Sequence, residues 1–388
     1  MNILYVTQWF SPVGGGGEVV FHTFAKGMAQ RGHRVYVVSH QLANQKDDQP
    51  DSDVSLHRVK PMLKGSPPPS LSENISFMIY ATMKCSAIIR QKKIDIIHVN
   101  NLGPVVVGSI LSKFYRIPLV ITIHDIFTTS SPNHWKNWIA QSTSISRLTS
   151  IIAPFFEKLT VKAPADIIHT VSNSTREDLR NFKARSEIIV IPNGIDAKNY
   201  ERYEKHYDNY IMFMGRLVFY KNLGVVISAF KEVIKKIPEA KLIAVGDGPM
   251  RKKWETMAAE LNLSQSIIFT GYISQAQKMD LLSKCSAVVL PSFVEGLPIA
   301  PLEALAMSKP VLLADIAPSY EIVDEGINGF ILSPYDHLKW SEKIIFLLSN
   351  KEMCKNMGRQ ARIKAENKFD IEKVLDKIES LYERFIRK

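Results

Sequence analysis

Short apolar runs that alternate with helical patterns constrain the fold of this chain more than any other feature of its sequence. Runs that are apolar along their whole length are typical of parallel strands buried on both faces. In chain order the predicted strands are 3–7, 34–38, 94–99, 119–123, 166–171, 187–191, 210–214, 241–245, 266–270, 287–290, 311–314 and 329–332. Strands that alternate with helices predict an α/β fold with parallel sheets covered by helices on both faces.

The series of strands restarts near the middle of the chain, so the sequence predicts two similar α/β domains. A chain of 388 residues is longer than a single hydrophobic core usually supports. The restart follows a turn-rich segment, 191–196, and a charged stretch, 198–208. We therefore expect one domain over residues 1–195 and a second over residues 196–370. The final segment, 371–388, keeps a helical stripe of apolar residues and must dock on another part of the protein.

Composition and cysteine usage exclude several classes of protein. Apolar residues make up 46% of the chain, as in globular proteins, and runs such as 104–111 are far too short to span a bilayer. The segment 1–6 has no basic region before its apolar residues and predicts a strand rather than a signal peptide. Cys85, Cys285 and Cys354 lie far apart, which predicts neither a metal site nor a disulfide framework and favours the reducing cytoplasm.

The net charge of +11 is concentrated in the first half of the chain. Between Glu73 and Glu157 the only acids are Asp95 and Asp125. The bases in the same interval are Lys84, Arg90, Lys92, Lys93, Lys113, Arg116, Lys136 and Arg147. Such a face attracts an anionic membrane surface, an anionic substrate or nucleic acid, or is simply a solvated basic surface. The sequence contains no recognised nucleic-acid-binding module, so we expect no nucleic-acid partner.

Two carboxylates bracket a Gly-Pro turn that follows a predicted strand and opens a predicted helix. They are Glu295 and Glu303, and the helix begins near Ile299 and Ala300. Ligands of open α/β sheets bind at the carboxyl ends of strands, where a helix N-terminus offers free N–H groups to an anion. The carboxylates would accept hydrogen bonds from hydroxyls beside that anion. The alternative is one exposed glutamate in a loop and one helix-capping glutamate.

A pair of cations follows the first strand of the second half. Arg216 lies just past the strand end and Lys221 lies close to a helix start. Two such cations suit a diphosphate, Arg as a forked donor and Lys as a point charge. Another strand-end turn, beginning at Gly246, follows the next strand. The alternative is that both bases are ordinary surface residues.

The first half carries its own glycine-rich turn, 14–17, between the first strand and the first helix. No Gly-Lys-Ser/Thr follows it, which excludes a phosphate loop of the Walker type. The second strand ends in Val-Ser-His at 38–40 rather than in an acid, which disfavours NAD. The turn either lets backbone N–H groups approach a phosphate or is a tight turn only. His124 ends another strand and is a candidate to face a ligand.

Taken together, these residues resemble glycosyltransferase family 4. The motifs that carry the resemblance occur in the right order over nearly the whole chain: Gly15-Gly16, Ile-Pro-Asn-Gly-Ile-Asp at 191–196, Gly215-Arg216-Leu217 with Lys221, Gly-Asp-Gly-Pro at 246–249, and Glu295 and Glu303 in an E-x7-E spacing. The resemblance implies a GT-B fold, in which two Rossmann-like domains enclose the active site and the last helix returns to the first domain. It also implies retaining transfer of a sugar from a nucleotide-sugar donor, with neither a metal nor another cofactor.

The resemblance further assigns a role to each candidate residue. Glu303 would bind the donor ribose, Glu295 the donor sugar, and Arg216 and Lys221 the diphosphate. Gly15 or Gly16 would approach the β-phosphate through its backbone, and the run of four glycines leaves open which one does so. His124 would contact the transferred sugar. The base is expected near Tyr272 and Ile273, largely on backbone groups.

The acceptor is expected to be a glycan or a lipid-linked sugar in the synthesis of cell-surface polysaccharide or glycoconjugate. The segment 127–156 contains no acid and is rich in Trp, Ile and Phe. It would rest against the inner face of the cell membrane or hold a lipid-linked acceptor, or else it is a helix pair that packs on the sheet. Two other functions fit the motifs, a nucleotide-sugar epimerase of the GT-B fold and an inactive nucleotide-sugar-binding protein.

Overall fold

The computed structural model describes residues 1–10, 16–42, 53–63, 71–100, 102–126, 128, 147–201 and 203–386. It divides into two compact units. The first unit comprises Met1–Pro192 and Lys373–Lys388, and the second comprises Asn193–Glu372. The chain therefore passes from one unit to the other twice.

The first unit is built on a parallel sheet of seven strands in the order β3-β2-β1-β4-β5-β6-β7. The strands are β1 (Asn2–Val6), β2 (Arg34–Leu42), β3 (Val54–Leu63), β4 (Ile96–Asn100), β5 (Leu119–Ile123), β6 (Ile167–Thr170) and β7 (Glu187–Val190). Its described helices are α1 (Gly16–Gln30), α2 (Leu71–Gln91), α3 (Leu102–Tyr115), α4 (Arg147–Val161) and α5 (Asn173–Asn181). Strands β4 and β5 are buried along their whole length, as their continuous apolar runs predict.

The strand β3 is absent from the sequence-based prediction. It pairs with β2 alone and so forms one edge of the sheet. Its sequence contains His57, Arg58, Lys60 and Pro61. An edge strand needs one buried face only and tolerates proline, so it lacks the continuous apolar run that reveals the central strands.

The second unit is built on a parallel sheet of six strands in the order β10-β9-β8-β11-β12-β13. The strands are β8 (Tyr210–Met214), β9 (Lys241–Val245), β10 (Ile267–Gly271), β11 (Ala287–Leu290), β12 (Val311–Ala314) and β13 (Gly329–Leu332). The helices are α6 (Leu223–Lys236), α7 (Arg251–Glu260), α8 (Gln275–Lys284), α9 (Ile299–Ala306), α10 (Ser319–Ile322), α11 (His337–Ser349) and α12 (Lys351–Lys368). Every strand predicted in this half is present, and the strand order reverses between β8 and β11.

The helix α13 (Ile371–Glu383) carries the chain back into the first unit, where its apolar stripe is buried. Leu375 packs directly over Gly27 of α1, where an added Cβ atom would come within 2.4 Å of the leucine side chain. Arg31 and His33 both contact the carboxylate of Glu379, at 2.8 Å and 2.7 Å. Apolar packing and ion pairing together hold α13 against α1.

A chain of buried hydrogen bonds begins at α13 and runs across the first sheet. The hydroxyl of Tyr382 contacts both the Tyr5 hydroxyl, at 2.8 Å, and Nδ1 of His98. Tyr5 and His98 face each other in register on β1 and β4. All three side chains have no exposed surface, so each polar atom depends on its partner.

The hydrogen-bond chain continues over β5 and β6 to the end of β7. Thr122 Oγ1 lies 2.6 Å from Nε2 of His98 and 2.9 Å from Nδ1 of His169, and Nε2 of His169 lies 2.9 Å from the carbonyl oxygen of Ile191. Burial keeps both histidines neutral, because it lowers the pKa of His98 and that of His169, the latter to about 4.

The direction of every hydrogen bond in this chain follows from its last acceptor. A carbonyl oxygen only accepts, so Nε2 of His169 donates and its Nδ1 accepts from the Thr122 hydroxyl. Thr122 then accepts from Nε2 of His98, and His98 Nδ1 accepts from Tyr382. Tyr382 in turn accepts from Tyr5. The proton positions are therefore fixed from α13 to Ile191, the last residue but one before the chain first leaves the unit.

Among the described helices, none combines the length and the apolar character needed to cross a bilayer.

Candidate functional site

The turns that follow β8, β9 and β10 are bonded to one another at the carboxyl edge of the second sheet. The amide of Gly246 donates to the carbonyl of Gly271 at 3.0 Å, and that of Gly215 donates to Val245 at 3.0 Å. Gly246 has a φ of +123°, and a Cβ atom there would lie 2.1 Å from the carbonyl oxygen of Gly215. Only glycine fits this position. The glycines at 215, 246 and 271 thus let the backbone segments at the strand ends pack directly against one another.

Lys221 and Glu295, which the family resemblance assigns to different parts of a ligand, form an ion pair in the structure. Nζ of Lys221 lies 2.6 Å from Oε1 of Glu295, and the two side chains are 14% and 11% exposed. Burial disfavours the charged form of Lys221, but the Glu295 carboxylate outweighs it and raises the lysine pKa. Lys221 is therefore charged at neutral pH.

Two backbone features bring Lys221 and Glu295 together. Lys221 ends a short 3-10 turn, Phe219–Lys221, and the next residue, Asn222, has a left-handed φ of +50°. The Asn222 side chain donates to the carbonyls of Pro291 and Pro334, which ties this turn to the loops after β11 and β13. Arg216 is half-buried, and its positive charge partly offsets the effect of Glu295 on the Lys221 pKa. The edge between β8 and β11 thus holds the Lys221–Glu295 ion pair with a second cation close enough to Lys221 to act on its pKa.

The second predicted carboxylate, Glu303, has partners that the sequence did not reveal. Its Oε1 lies 2.7 Å from Nζ of Lys278 and 3.4 Å from the hydroxyl of Tyr200. Tyr200 is buried in a short 3-10 helix, Ala197–Tyr200, and Lys278 lies on α8. The only sequence signal for this arrangement is Ser-x-x-Gln at Ser274, a capping box that fixes where α8 begins.

The helix α9 begins at Ile299, one turn before Glu303, as the sequence predicts. Pro298 precedes it in extended conformation and provides no side-chain cap. The first N–H groups of a helix have no acceptor within it, so those of Ile299 and Ala300 are available to an anion. Both residues are half-buried. The N-terminus of α9 and the carboxylate of Glu303 therefore both lie at the carboxyl edge of the second sheet.

Tyr272 and Ile273 follow β10 at the same edge of the sheet. Tyr272 is 79% exposed and Ile273 is half-buried. Their assignment to the base of a nucleotide stays a prediction.

In the first unit, Gly16 is the first residue of α1, and Gly15 lies outside the described residues. His124 follows β5, and its ring packs beside Gly17, where an added Cβ atom would approach Cδ2 to 3.0 Å. Within the described part of the chain, Nε2 of His124 is buried without a hydrogen-bond partner. Burial, and then the neighbouring His169, lower the His124 pKa to about 3. His124 is thus a neutral ring with an unused polar atom.

No group of three or more His, Cys, Asp or Glu side chains among the described residues is arranged to hold a metal ion. The three cysteines are buried free thiols.

Two parallel, Rossmann-like sheets in separate units are the fold of GT-B glycosyltransferases, and solved structures of that class share it. Sucrose-phosphate synthase from Thermosynechococcus elongatus matches with a TM-score of 0.83 and 18% identity over 100% of both chains. HepE from Anabaena, solved in complex with UDP-glucose, matches with a TM-score of 0.78 and 20% identity over 99% of this chain and 100% of its own.

Family models identify the chain within that class. Residues 14–199 match Glycosyltransferase Family 4, and residues 196–364 match Glycosyl transferases group 1. The chain belongs to glycosyltransferase family 4. An uncharacterised glycosyltransferase of Methanocaldococcus jannaschii is 29% identical over 80% of this chain and 81% of its own length. The family resemblance seen in the sequence is confirmed.

Proposed function

We propose that this glycosyltransferase moves a hexose-type sugar, with retention of configuration, from a UDP- or GDP-sugar to a glycan or lipid-linked acceptor in cell-surface polysaccharide or glycoconjugate synthesis. The observation that carries the proposal is the pairing of Glu295 with Lys221 and of Glu303 with Lys278 beside the N-terminus of α9. This edge offers acceptors for hydroxyls together with donors for a diphosphate. UDP-glucose bound to the structurally similar HepE supports a donor of this class.

The leaving diphosphate would be stabilised by protein groups alone. As the bond to the sugar breaks, negative charge develops on the phosphate, and Arg216, Lys221 and the N–H groups of Ile299 and Ala300 would stabilise it. Preorganised donors of this kind each contribute roughly 3 kcal/mol to the transition state. The proposal therefore requires no metal and no other cofactor, and transfer should continue at an unchanged rate in the presence of a chelator.

The remaining predicted residues take the following roles on this proposal. Glu303 binds the ribose, Glu295 the transferred sugar, and the turn at Gly246 contacts the donor, while backbone groups near Tyr272 and Ile273 receive the base. Gly15 or Gly16 approaches the β-phosphate. His124 contacts the sugar through Nε2, and because its ring is neutral it would orient a sugar hydroxyl without adding charge.

Retention is proposed to occur by attack on the same face of the sugar, with the departing phosphate taking the proton of the acceptor hydroxyl. A double displacement would need a carboxylate nucleophile on the opposite face. The two carboxylates of the candidate site are both bound to lysines. Mass spectrometry of the enzyme after incubation with donor alone should detect no covalent sugar adduct, and an adduct on a carboxylate would refute same-face attack.

A panel of UDP- and GDP-sugars tests the central proposal. Donor binding and donor hydrolysis should be detected for one nucleotide, and the Glu303→Ala variant should lose most of the binding. Absence of binding to every nucleotide sugar would refute it. Interconversion of free nucleotide sugars without an acceptor would instead identify an epimerase, and binding without turnover would identify an inactive binding protein.

We also propose that the first unit rests on the anionic inner face of the cell membrane. The helices α2 and α3 pack together, and each exposes an apolar line with a spacing of four residues. The exposed residues are Ile75, Ile79 and Met83 on α2 and Val106, Ile110 and Phe114 on α3. The exposed bases on the same helices include Lys84 and Lys113. Exposed apolar residues and exposed bases on the same two helices fit anionic lipid, whereas a second copy would bring like charges together.

The tryptophans of segment 127–156 lie outside the described residues. The membrane proposal therefore depends on α2 and α3. Liposome flotation should recover the protein with anionic vesicles at low salt and release it at high salt. Met83→Ser combined with Phe114→Ser should abolish flotation, whereas Tyr320→Ser, at an exposed aromatic of the second unit, should not. Failure of the wild type to float at low salt would refute the proposal.

A further inference from the structure

The carboxylate of Glu303 is held at one of its two oxygens. Nζ of Lys278 and the hydroxyl of Tyr200 both contact Oε1. Among the described residues, none donates a hydrogen bond to Oε2. Glu303 is 12% exposed, so the carboxylate retains a narrow opening to solvent. One oxygen is therefore fixed while the other stays available.

Three separate elements hold this arrangement in place. Tyr200 lies on the 3-10 helix 197–200, and its backbone carbonyl accepts from Nζ of Lys205 at 2.8 Å. Lys278 lies on the first turns of α8, which the Ser274 capping box fixes. Glu303 lies on α9. Because partners from different elements meet at one oxygen, the carboxylate cannot rotate without breaking contacts to both.

The proton state of the Tyr200 phenol is also definite. Burial, and next the adjacent Glu303 carboxylate, raise the pKa of Tyr200, so the phenol stays protonated and donates. Lys278 forms an ion pair with the same oxygen. A phenol and an ammonium group that both donate to Oε1 leave Oε2 as an acceptor for a ligand hydroxyl.

We propose that Lys278 and Tyr200 are positioning residues that hold Oε1 of Glu303 and present Oε2 to a ribose hydroxyl, and so make the site selective for ribonucleotides over deoxyribonucleotides. The proposal rests on the donor site described under the proposed function and adds to it the residues that fix ribose recognition. Neither residue needs to touch the nucleotide. They hold Oε2 of Glu303 in the orientation for binding before the nucleotide arrives, so binding loses less conformational entropy.

Binding of UDP, GDP and their 2′-deoxy and 3′-deoxy analogues by titration calorimetry tests the inference. The wild type should prefer the ribonucleotide of its cognate base by roughly 10- to 100-fold over one of the deoxy analogues, the loss expected for one hydrogen bond to a charged acceptor. Lys278→Met should weaken ribonucleotide binding about 10-fold or more while it leaves deoxynucleotide binding nearly unchanged, so that the preference collapses.

The matched control is Lys284→Met, on the same helix, where the lysine pairs with exposed Asp280. This variant should keep the ribose preference. Tyr200→Phe keeps the buried ring and should reduce the preference in the same direction as Lys278→Met. Lys278→Arg should restore part of it, because a cation again reaches Oε1.

The possible results separate this inference from the proposed function. If the wild type binds no UDP or GDP, both fail. If it binds the ribonucleotide with a clear preference, and Lys278→Met and Tyr200→Phe keep that preference, the inference alone is refuted. Equal weakening of ribo- and deoxyribonucleotide binding would also refute it, since a general loss of positive charge acts on both.

Discussion

The hydroxyl of Tyr382, on the helix α13, donates a hydrogen bond to Nδ1 of His98, on the fourth strand of the first unit, across 284 residues of sequence. The same hydroxyl accepts from Tyr5. A single oxygen atom thus links Tyr5 to the buried hydrogen-bond chain that crosses the sheet to Ile191. Two polar groups without surface exposure depend on it.

Tyr382→Phe removes that oxygen and leaves His98 Nδ1 and the Tyr5 hydroxyl unpaired. Each buried unpaired group costs about 1–3 kcal/mol, so the free energy of unfolding should fall by about 2–6 kcal/mol. Urea denaturation of the whole chain measures the change. Tyr335→Phe, at a residue 79% exposed, is the control and should be neutral within about 0.5 kcal/mol. Equal stability of the two variants would contradict the role given to Tyr382.

Stability should decline in weak acid because of the buried histidines. The folded state lowers the pKa of His169 from 6.5 to about 4 and that of His124 from 6.5 to about 3. The unfolded chain therefore binds more protons as the pH falls below about 6.5, and the free energy of unfolding decreases. The decrease per histidine is at most about 1.4 kcal/mol per pH unit and continues down to the folded-state pKa.

Thermal unfolding followed from about pH 7.5 down to about pH 5 measures this dependence. His337 is exposed and is the control, so His337→Gln should leave the slope unchanged. A melting temperature that stays constant over this range would show that folding does not lower the pKa of these two histidines.

Gly246→Ala should destabilise the second unit more than a positive φ alone explains. Its Cβ would lie 2.1 Å from a backbone carbonyl oxygen, which cannot move without disturbing the turn after β8. Gly326 also has a positive φ, of +72°, but has nothing within 4 Å of its added Cβ. Gly326→Ala should therefore cost about 1 kcal/mol from strain, and Gly246→Ala at least about 3 kcal/mol. Denaturation of both variants gives the comparison, and similar values would remove the steric argument.

Replacement of the two predicted carboxylates should separate binding from transfer. Glu303→Ala should weaken nucleotide-diphosphate binding about 10-fold or more, since it removes the ribose acceptor. Glu295→Ala should mainly lower kcat, because it removes the acceptor for the sugar and leaves Lys221 available to the diphosphate. Calorimetry with the nucleoside diphosphate and steady-state kinetics measure the two effects. Equal losses of nucleotide affinity in both variants would contradict the separation.

Central strands could be predicted from sequence because burial on both faces demands a continuous apolar run. The strand β3 could not, since its pattern is that of an edge with His57, Arg58 and Pro61. Strand ends also placed Glu295, Lys221 and Glu303 correctly at one edge of a sheet, because ligand sites of parallel sheets follow strand termini.

Partners that arise from tertiary packing left no such signal. Lys278 and Tyr200 meet Glu303 from separate elements, and nothing in their local sequence distinguishes them from other lysines and tyrosines. The buried chain through His98 and His169 is similar, because each histidine interrupts an apolar run and resembles an ordinary core residue until the neighbouring strand is known.

The connection between Tyr382 and the first sheet also means that the first unit cannot complete its hydrogen bonds until α13 has been synthesised. While the ribosome elongates the chain through 193–372, the strands of the first unit are already complete, but the acceptor for Tyr5 and the donor for His98 have not been made. At about 5–20 residues per second this interval lasts roughly 10–40 s. During it, the buried polar groups of Tyr5 and His98 lack the partner that α13 supplies only at the end of synthesis.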